Sequence, residues 1–303
     1  MNNILSVVLA VRNEEHNIGR CLDSVKGIAD EIVVVDEYSV DKTVEIAKKY
    51  GVKVFLEPHH DIFHITKQKA LEKATGEWVL QLDADEVVTP ELAKEIELVI
   101  SNRSTDRRSQ KSIDFAQDGE PAEPLEIPPE KMRLFARHQK LIEKRNGVIG
   151  KGSGGIVGYF IPRRNIFLGR PLIHAGVYPD GVIRLVKNGK ARFPQKSVHE
   201  QMELDGEVSW LVNDLEHYDS PTLKRYLTRF NRYTDLKAGE LRDSKVSKGV
   251  IAFVLFTIYY PLRTFFNLYF RHLGFLDGVS GFLWSFFSAM HFPVAYYKYL
   301  TAK

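Results

Sequence analysis

Gly76-Glu77-Trp78-Val79-Leu80-Gln81-Leu82-Asp83-Ala84-Asp85-Glu86 is the stretch on which the fold turns. Val79 to Leu82 is a short apolar run, interrupted by Gln81, that ends abruptly in carboxylates. A run of that length, apolar on both faces, reads as a buried strand of a parallel sheet. On an extended strand end alternate side chains point the same way, so Asp83 and Asp85 are expected to converge on one divalent cation. Their hard oxygen donors suit Mg2+ or Mn2+. The plainer alternative is acidic bias near a helix start, since Thr89-Pro90-Glu91 opens the next helix. That accounts for Glu91 and leaves the two aspartates at the strand's own end unexplained.

Upstream, three more apolar runs, Ile4 to Val11, Ile32 to Val35 and Val52 to Leu56, alternate with helical patterns over Asn17 to Val25, Lys42 to Tyr50 and Ile65 to Ala74. This alternation predicts βαβ units and a mostly parallel sheet, in which ligands bind outside the carboxyl ends of the strands. Those ends are polar. Arg12-Asn13-Glu14-Glu15 follows the first strand, and Asp36-Glu37-Tyr38-Ser39-Val40-Asp41-Lys42-Thr43 follows the second. Asp41 or Ser39 is expected to cap the helix near Thr43. Asp36, at the strand terminus, is placed to accept hydrogen bonds from a base or sugar. Such an electronegative rim needs a cation before it can hold a diphosphate.

Downstream the pattern breaks. Residues 101–155 read as a long, partly mobile insertion: a polar run from Ser101, the proline-rich Glu120-Pro121-Ala122-Glu123-Pro124, a basic helical piece from Glu130 to Arg145, and Gly152-Ser153-Gly154-Gly155. The glycine cluster lacks a following Gly-Lys-Ser/Thr and reads as a hinge rather than a phosphate cradle. Sheet-like sequence resumes over Ile156 to Phe160 and Gly181 to Val186. Ser220-Pro221 reads as an N-cap and first-turn proline. The helix it opens either packs on the core with a solvated basic side, or turns Lys224, Arg225, Arg229 and Arg232 toward anionic lipid headgroups. Two apolar, aromatic-rich stretches, Val250 to Phe270 and Val279 to Tyr297, are broken by Pro261, Arg263, His291 and Pro293. They suit an interfacial or re-entrant hairpin more than a helical subdomain packed on the protein or a dimer, and they do not decide whether a span is complete.

Composition narrows the classes. With 44% hydrophobic and 27% charged residues in 303, the chain buries a full core. A net charge of +3 is too small for a dedicated nucleic-acid binder. A single cysteine, Cys21, excludes an internal disulfide, and the N-terminal residues do not read as a signal peptide. Both points favour the cytoplasm.

Asn13-Glu14-Glu15, the Asp-x-x-Ser-x-Asp-x-Thr element from Asp36 to Thr43, and Gly76-Glu77-Trp78 leading to Asp83-Ala84-Asp85-Glu86 occur in the order seen in family 2 glycosyltransferases, which the first hundred residues resemble. Ile183-Arg184-Leu185, Ser197-Val198-His199-Glu200, Leu215-Glu216-His217-Tyr218 and Gly274-Phe275-Leu276-Asp277-Gly278 with Gly281 resemble the lipopolysaccharide-core branch. The chain departs from the pattern at Ala10-Val11-Arg12 and Lys69. The resemblance implies an α/β GT-A fold, a mostly parallel central sheet with a hydrophobic helical region at the C-terminal end. It implies inverting transfer of a sugar from a nucleotide-diphospho-sugar donor. Carried over, Glu14 and Asp36 contact the nucleoside, Asp83 sits near the ribose and the metal, and Asp83 and Asp85 hold Mg2+ or Mn2+; Val11 and Asn13 join them on the donor side. Beside the resemblance, Lys67 and Lys69 either face the diphosphate or are ordinary solvated helix lysines, and Arg184 is a candidate phosphate contact.

Inversion needs a base opposite the leaving group, for which Glu200 is the candidate; His199 and His217 are possible supports, with Asp180 and Glu203 next in line as bases. The expected layout is a nucleotide-sugar half over 1–100, the insertion over 101–155, an acceptor-side half of the same domain over 156–247, and a membrane-associated hairpin over 248–303. The expected partners are the donor, a lipid-linked saccharide acceptor and an anionic membrane surface, without nucleic acid. The expected location is the cytoplasmic face of the inner or plasma membrane, peripheral or monotopic. Competing readings are a polyprenyl-phosphate hexosyltransferase and an inactive membrane scaffold that keeps the fold.

Overall fold

The alternation read from the first hundred residues appears as β1 (Leu5–Val11), α1 (Ile18–Val25), β2 (Glu31–Asp36), α2 (Thr43–Lys49), β3 (Lys53–Leu56), α3 (Phe63–Glu72), β4 (Trp78–Leu82), β5 (Glu86–Val88) and α4 (Pro90–Ser101). Beyond it come α5 (Pro129–Asn146), β6 (Ile156–Ile161), β7 (Arg163–Phe167), β8 (Arg170–Leu172), β9 (Val182–Lys187), β10 (Ala191–Arg192), β11 (Glu203–Leu204), β12 (Glu207–Trp210) and β13 (Leu215–Ser220). Three long helices follow: α6 (Leu223–Asp243), α7 (Val250–Arg271) and α8 (Gly278–Thr301). This is a computed structural model, and it describes residues 3–101, 128–147, 149–150, 155–194 and 201–302.

The chain forms two compact units, Met1–Arg163 with Pro179–Glu216, and Arg164–Tyr178 with His217–Lys303. In the first, the main sheet runs β12-β6-β9-β4-β1-β2-β3. β1 to β4 are mutually parallel and only β9 is reversed. This is the mostly parallel α/β arrangement expected of a GT-A domain. All seven residues of β1 are buried. Alternate residues face opposite layers. Leu5, Val7, Leu9 and Val11 share a core with Ile18, Cys21, Leu22 and Val25, the i, i+3, i+4, i+7 face of α1. Val8 joins Val33 and Val35 against Ala70, Leu71 and Ala74.

The Gly76-Glu77-Trp78 element has a steric reason. A Cβ at Gly76 would lie 2.7 Å from the Ser6 backbone nitrogen. The Gly76 N–H donates to Ser6 Oγ at 2.8 Å, and Ser6 Oγ donates to Glu31 Oε2 at 2.6 Å. Trp78 is then fully buried.

The basic piece expected inside the insertion is α5. It is no appendage: Phe135 stacks on Trp210 with ring centroids 4.5 Å apart, Gln139 accepts from the Trp210 indole at 3.0 Å, and Ile142 enters the core. Residues 102–127 and 151–154 of that insertion lie outside the described residues.

The second unit is cut differently from the expected 156–247 and 248–303 blocks. Residues 164–178 and 217–243 group with the C-terminal helices because hydrogen bonds and aromatic packing bind them there. His174 donates its backbone N–H to Asp277 Oδ2 at 2.8 Å and pairs through Nδ1 with Oδ1 at 2.8 Å. Phe167 packs on Tyr226 and Trp284. The expected cap of α6 moves two residues: β13 runs through Ser220, and Thr222 Oγ1 accepts from the Arg225 N–H instead. α7 and α8 form an antiparallel hairpin, with Phe256 stacked on Tyr296 and Phe265 edge-on to Phe282. Gly281 is required in the first turn of α8, where a Cβ would sit 1.9 Å from the carbonyl oxygen of Gly274 in the turn that joins the two helices.

Candidate functional site

In the first unit β1 lies between β2 and β4, so the chain winds outward on both sides of it. The carboxyl ends of β1 and β4 therefore bracket a topological switch point, where parallel sheets open a crevice. The residues carried there are those of the first, second and fourth strand ends.

After β1, Val11 is buried and Asn13 takes a left-handed φ of 55°. Asn is among the few non-glycine residues that tolerate it. Its backbone and side chain together tie two strand ends: the Asn13 backbone N–H donates to Ser39 Oγ at 2.8 Å, and Asn13 Oδ1 accepts from the Val40 N–H at 2.9 Å. Glu14 accepts from Asn17 Nδ2 at 2.7 Å, and its carbonyl accepts the N–H groups of Asn17 and Ile18, which starts α1.

After β2, Asp36 is wholly buried and accepts both the Ser39 N–H at 2.8 Å and the Ser39 hydroxyl at 2.5 Å. Asp41 takes the helix-opening role expected of it, accepting from the Thr43 N–H at 2.9 Å and from the Thr43 hydroxyl. Glu37, also buried, holds Thr66 and the His59 ring. The Asp-x-x-Ser-x-Asp-x-Thr element is thus a self-bonded loop. Its backbone is fixed before any ligand arrives.

After β4 the chain does not stay extended. Glu86 N–H donates to the Asp83 carbonyl at 3.0 Å, and Asp83 N–H donates to Glu86 Oε2 at 2.9 Å. Asp83 and Asp85 are the first and third residues of this turn, so strand alternation is not what relates them. The turn wins because Glu86 satisfies a strand-end N–H with its own side chain.

Asp83 is enclosed by cations. Lys67 Nζ lies 2.5 Å from Oδ1 and Arg184 Nη2 lies 2.6 Å from Oδ2. Arg184 also reaches Glu86 Oε1 at 2.7 Å and the Gln81 amide oxygen. Arg163 reaches the same Glu86 oxygen at 3.3 Å and Asp180 Oδ2 at 2.7 Å. Lys67 and Arg184 are 8% and 5% exposed, respectively. Burial by itself would raise the Asp83 carboxyl, but Arg184 and Lys67 outweigh it and hold the group well below the usual carboxylate range. Burial pulls the Lys67 ammonium down, against the attraction of Asp83. Burial disfavours the charged Arg184, yet Asp83 and Glu86 keep its proton more firmly than usual. Three cations thus face three carboxylates.

Asp85 is half-buried, beyond the buried Ala84. The donors at Asp83 and Asp85 are carboxylate oxygens, which fit Mg2+ or Mn2+ in chemistry. Asp83 already has both oxygens engaged, so Asp85 is the principal candidate ligand.

The remaining expectations scatter. Glu200 and His199 lie outside the described residues. His217 belongs to the second unit, where Nδ1 lies 2.6 Å from Asn165 Oδ1. Glu203 is paired with Arg192 on the short β10–β11 ribbon. Lys69 pairs with Glu57 at 2.7 Å. Glu86, Gln81 and Arg163 were not anticipated. A polar residue inside the apolar run of β4, and an arginine at the start of β7, were the available signals.

The family model described as Glycosyl transferase family 2 matches residues 6–148. An uncharacterized glycosyltransferase of Rickettsia typhi is 39% identical over 104 residues, covering 34% of this chain and 35% of that protein. The match therefore spans about a third of that relative. The lipopolysaccharide core biosynthesis glycosyltransferase LpsC of Rhizobium meliloti is 27% identical over 305 residues, covering 98% of this chain and 90% of LpsC. Among solved structures, S. aureus TarS 1-349 is 18% identical with a TM-score of 0.39, covering 94% of this chain and 80% of that one.

Proposed function

We propose that this chain, whose residues 6–148 match the model of glycosyl transferase family 2, is a family 2 glycosyltransferase that moves a sugar from a nucleotide-diphospho-sugar, with inversion, to a lipid-linked cell-envelope glycan of the lipopolysaccharide-core kind. The observation that carries the reading is the cluster at the switch point, where Lys67 and Arg184 hold Asp83 and Asp85 follows. The similarity to LpsC along 98% of the chain supports the acceptor class. Val11, Asn13, Glu14 and Asp36 are assigned to the nucleoside, and Lys67 and Arg184 to the diphosphate side. Asp85, with Asp83, would hold Mg2+ or Mn2+. When bound, such an ion neutralises charge on the departing diphosphate.

The chain's own share of the reaction is positioning and proton transfer. Glu200 takes the proton of the acceptor hydroxyl. That oxygen bonds to the anomeric carbon on the face opposite the diphosphate, and the bond to the diphosphate breaks with its electron pair. His199 and His217 are assigned supporting roles. The work is done at the cytoplasmic face of the inner or plasma membrane, with the chain peripheral or monotopic. The apolar residues that α7 exposes support this, among them Ile258, Leu262 and Phe266.

Donor binding and transfer, measured on one set of variants, test the assignment. Asp85→Ala is expected to lose Mn2+-dependent nucleotide-sugar binding in calorimetry with unchanged thermal unfolding. Glu200→Gln is expected to keep donor affinity and to lose about 10²–10⁴ in transfer rate. Full transfer in chelator would remove the metal from the reading, and parental transfer by Glu200→Gln would remove that base.

A further inference from the structure

α7 is long enough to cross a bilayer. Its 22 residues span about 33 Å at about 1.5 Å each, against a hydrocarbon core of about 30 Å. What α7 is tied to decides against crossing. At its start, Ala252 packs with Ala238 and Leu241 of α6 and with Tyr296 and Tyr299 of α8. At its end, the His272 carbonyl accepts the Ala175 N–H at 2.8 Å, just past β8.

α6 runs beside this hairpin. Its first turns meet the middle of α8, with Tyr226 against Trp284 and Phe287, and Phe230 against His291. Farther on, Lys298 donates to Asn231 and Thr234 and pairs with Asp235 at 2.7 Å. The level of α8 that meets α6 at Phe230 is also the level that meets the middle of α7, through Phe292 and Tyr260. If α7 crossed a bilayer, the turns of α6 around Phe230, with Arg229 and Arg232, would lie at the same depth.

α6 is unfit for that place. Its 21 residues include nine that are charged: Lys224, Arg225, Arg229, Arg232, Asp235, Lys237, Glu240, Arg242 and Asp243. Each would cost about 2.5–3.5 kcal/mol at the centre of a membrane helix on an insertion scale. The β7–β8 ribbon at the other end of the hairpin is equally barred, because an open sheet edge leaves backbone groups unsatisfied in hydrocarbon.

α7 nevertheless presents a continuous apolar stripe to the outside: Ile251, Val254, Ile258, Leu262, Phe266 and Phe270 are each at least 43% exposed. Between Asp243 and Asp277 the sequence has no acidic residue and carries Lys245, Lys248, Arg263 and Arg271. That charge pattern selects an anionic lipid surface as the occupant. We propose that α7 lies flat at the boundary between headgroups and acyl chains, with this stripe immersed along its whole length, and does not cross the bilayer. The proposal rests on the membrane reading above and adds a geometry to it.

The test uses the full chain and vesicles of phosphatidylethanolamine and phosphatidylglycerol. Val254→Cys, Leu262→Cys and Phe270→Cys each receive an environment-sensitive fluorophore; the native Cys21, at 0% exposure, is shielded from labelling. Lipids carrying a quencher near the headgroup or deep in the acyl chain then report depth. The expected result is one ratio of shallow to deep quenching at all three sites. Deep quenching at position 262 with shallow quenching at 254 and 270 is the signature of a span and would overturn the proposal. Flotation of the unlabelled protein with vesicles, but no quenching at any site, would overturn the flat helix and leave the membrane reading standing. Failure to float would overturn both, and a two-chain mass in that case would assign the stripe to a second copy.

Discussion

At the strand ends of the first unit, Lys67, Asp83, Glu86, Arg163, Asp180 and Arg184 are gathered into contact, and Glu86 and Arg184 among them are almost wholly buried. Along α7 in the second unit, Ile258, Leu262 and Phe266 stand more than half exposed. Both regions reverse the ordinary sorting of side chains between interior and surface. In the first, each charge is balanced by another held at hydrogen-bond distance, so the cluster is rigid and intolerant of deletion. In the second, nothing among the described residues compensates the exposure, so the fold itself gains little from those side chains. An arrangement that costs stability in one place, and contributes none in the other, marks where ligands are to be sought.

The comparison breaks most readily at Arg184. Arg184→Met removes a buried cation and leaves Asp83 and Glu86 facing each other without it. The expected loss is about 3–5 kcal/mol of unfolding free energy, read from denaturant titration. A loss below about 1 kcal/mol would mean that the cluster is solvated and that the contrast with α7 fails.

A second carboxylate of the first unit sharpens it by pH. Burial would raise Glu31, but Lys53, Ser6 and the Thr75 N–H and hydroxyl together pull it from an ordinary 4.5 to about 2. A depressed folded-state value means that this stability is present above about pH 4.5 and is lost as pH falls toward 2. The shift corresponds to about 3 kcal/mol. Unfolding free energy compared with that of Glu31→Gln is expected to show the difference at pH 6 and to lose most of it by pH 2.5. Parallel pH profiles would show that Glu31 is not the group responsible.

The smallest expected effect lies in the second unit. Leu262→Asp changes a side chain that is 53% exposed, and thermal unfolding is expected to move by no more than about 0.5 kcal/mol. Vesicle flotation of the same variant is expected to fall sharply. A large destabilisation would show that Leu262 is packed on protein after all.

Much of the first unit was legible along the chain. Apolar runs with helical patterns between them predicted β1 to β4 and their helices to within two residues or so, because burial on both faces, as in β1, β2 and β4, demands nearly uninterrupted hydrocarbon. The strand-end motifs were legible too, since polar residues after such runs collect at one edge. The hairpin could be read from composition. By itself, then, the amino-acid order determined the layered α/β class, the edge that carries the polar residues and the apolar character of the C-terminal helices.

Tertiary structure alone decided the rest. Asp83, Lys67 and Arg184 come from the turn after β4, from α3 and from β9, more than a hundred positions apart at the extremes, and no local pattern states that they meet. The turn from Asp83 to Glu86 displaced the extended geometry because a side chain three residues away could bond the backbone. Which helix packs beside α7 was likewise hidden in α7's own sequence. Periodicity and composition report what one segment prefers, whereas depth, ion pairing and convergence depend on what packs beside it, and here the neighbour is the charged helix α6.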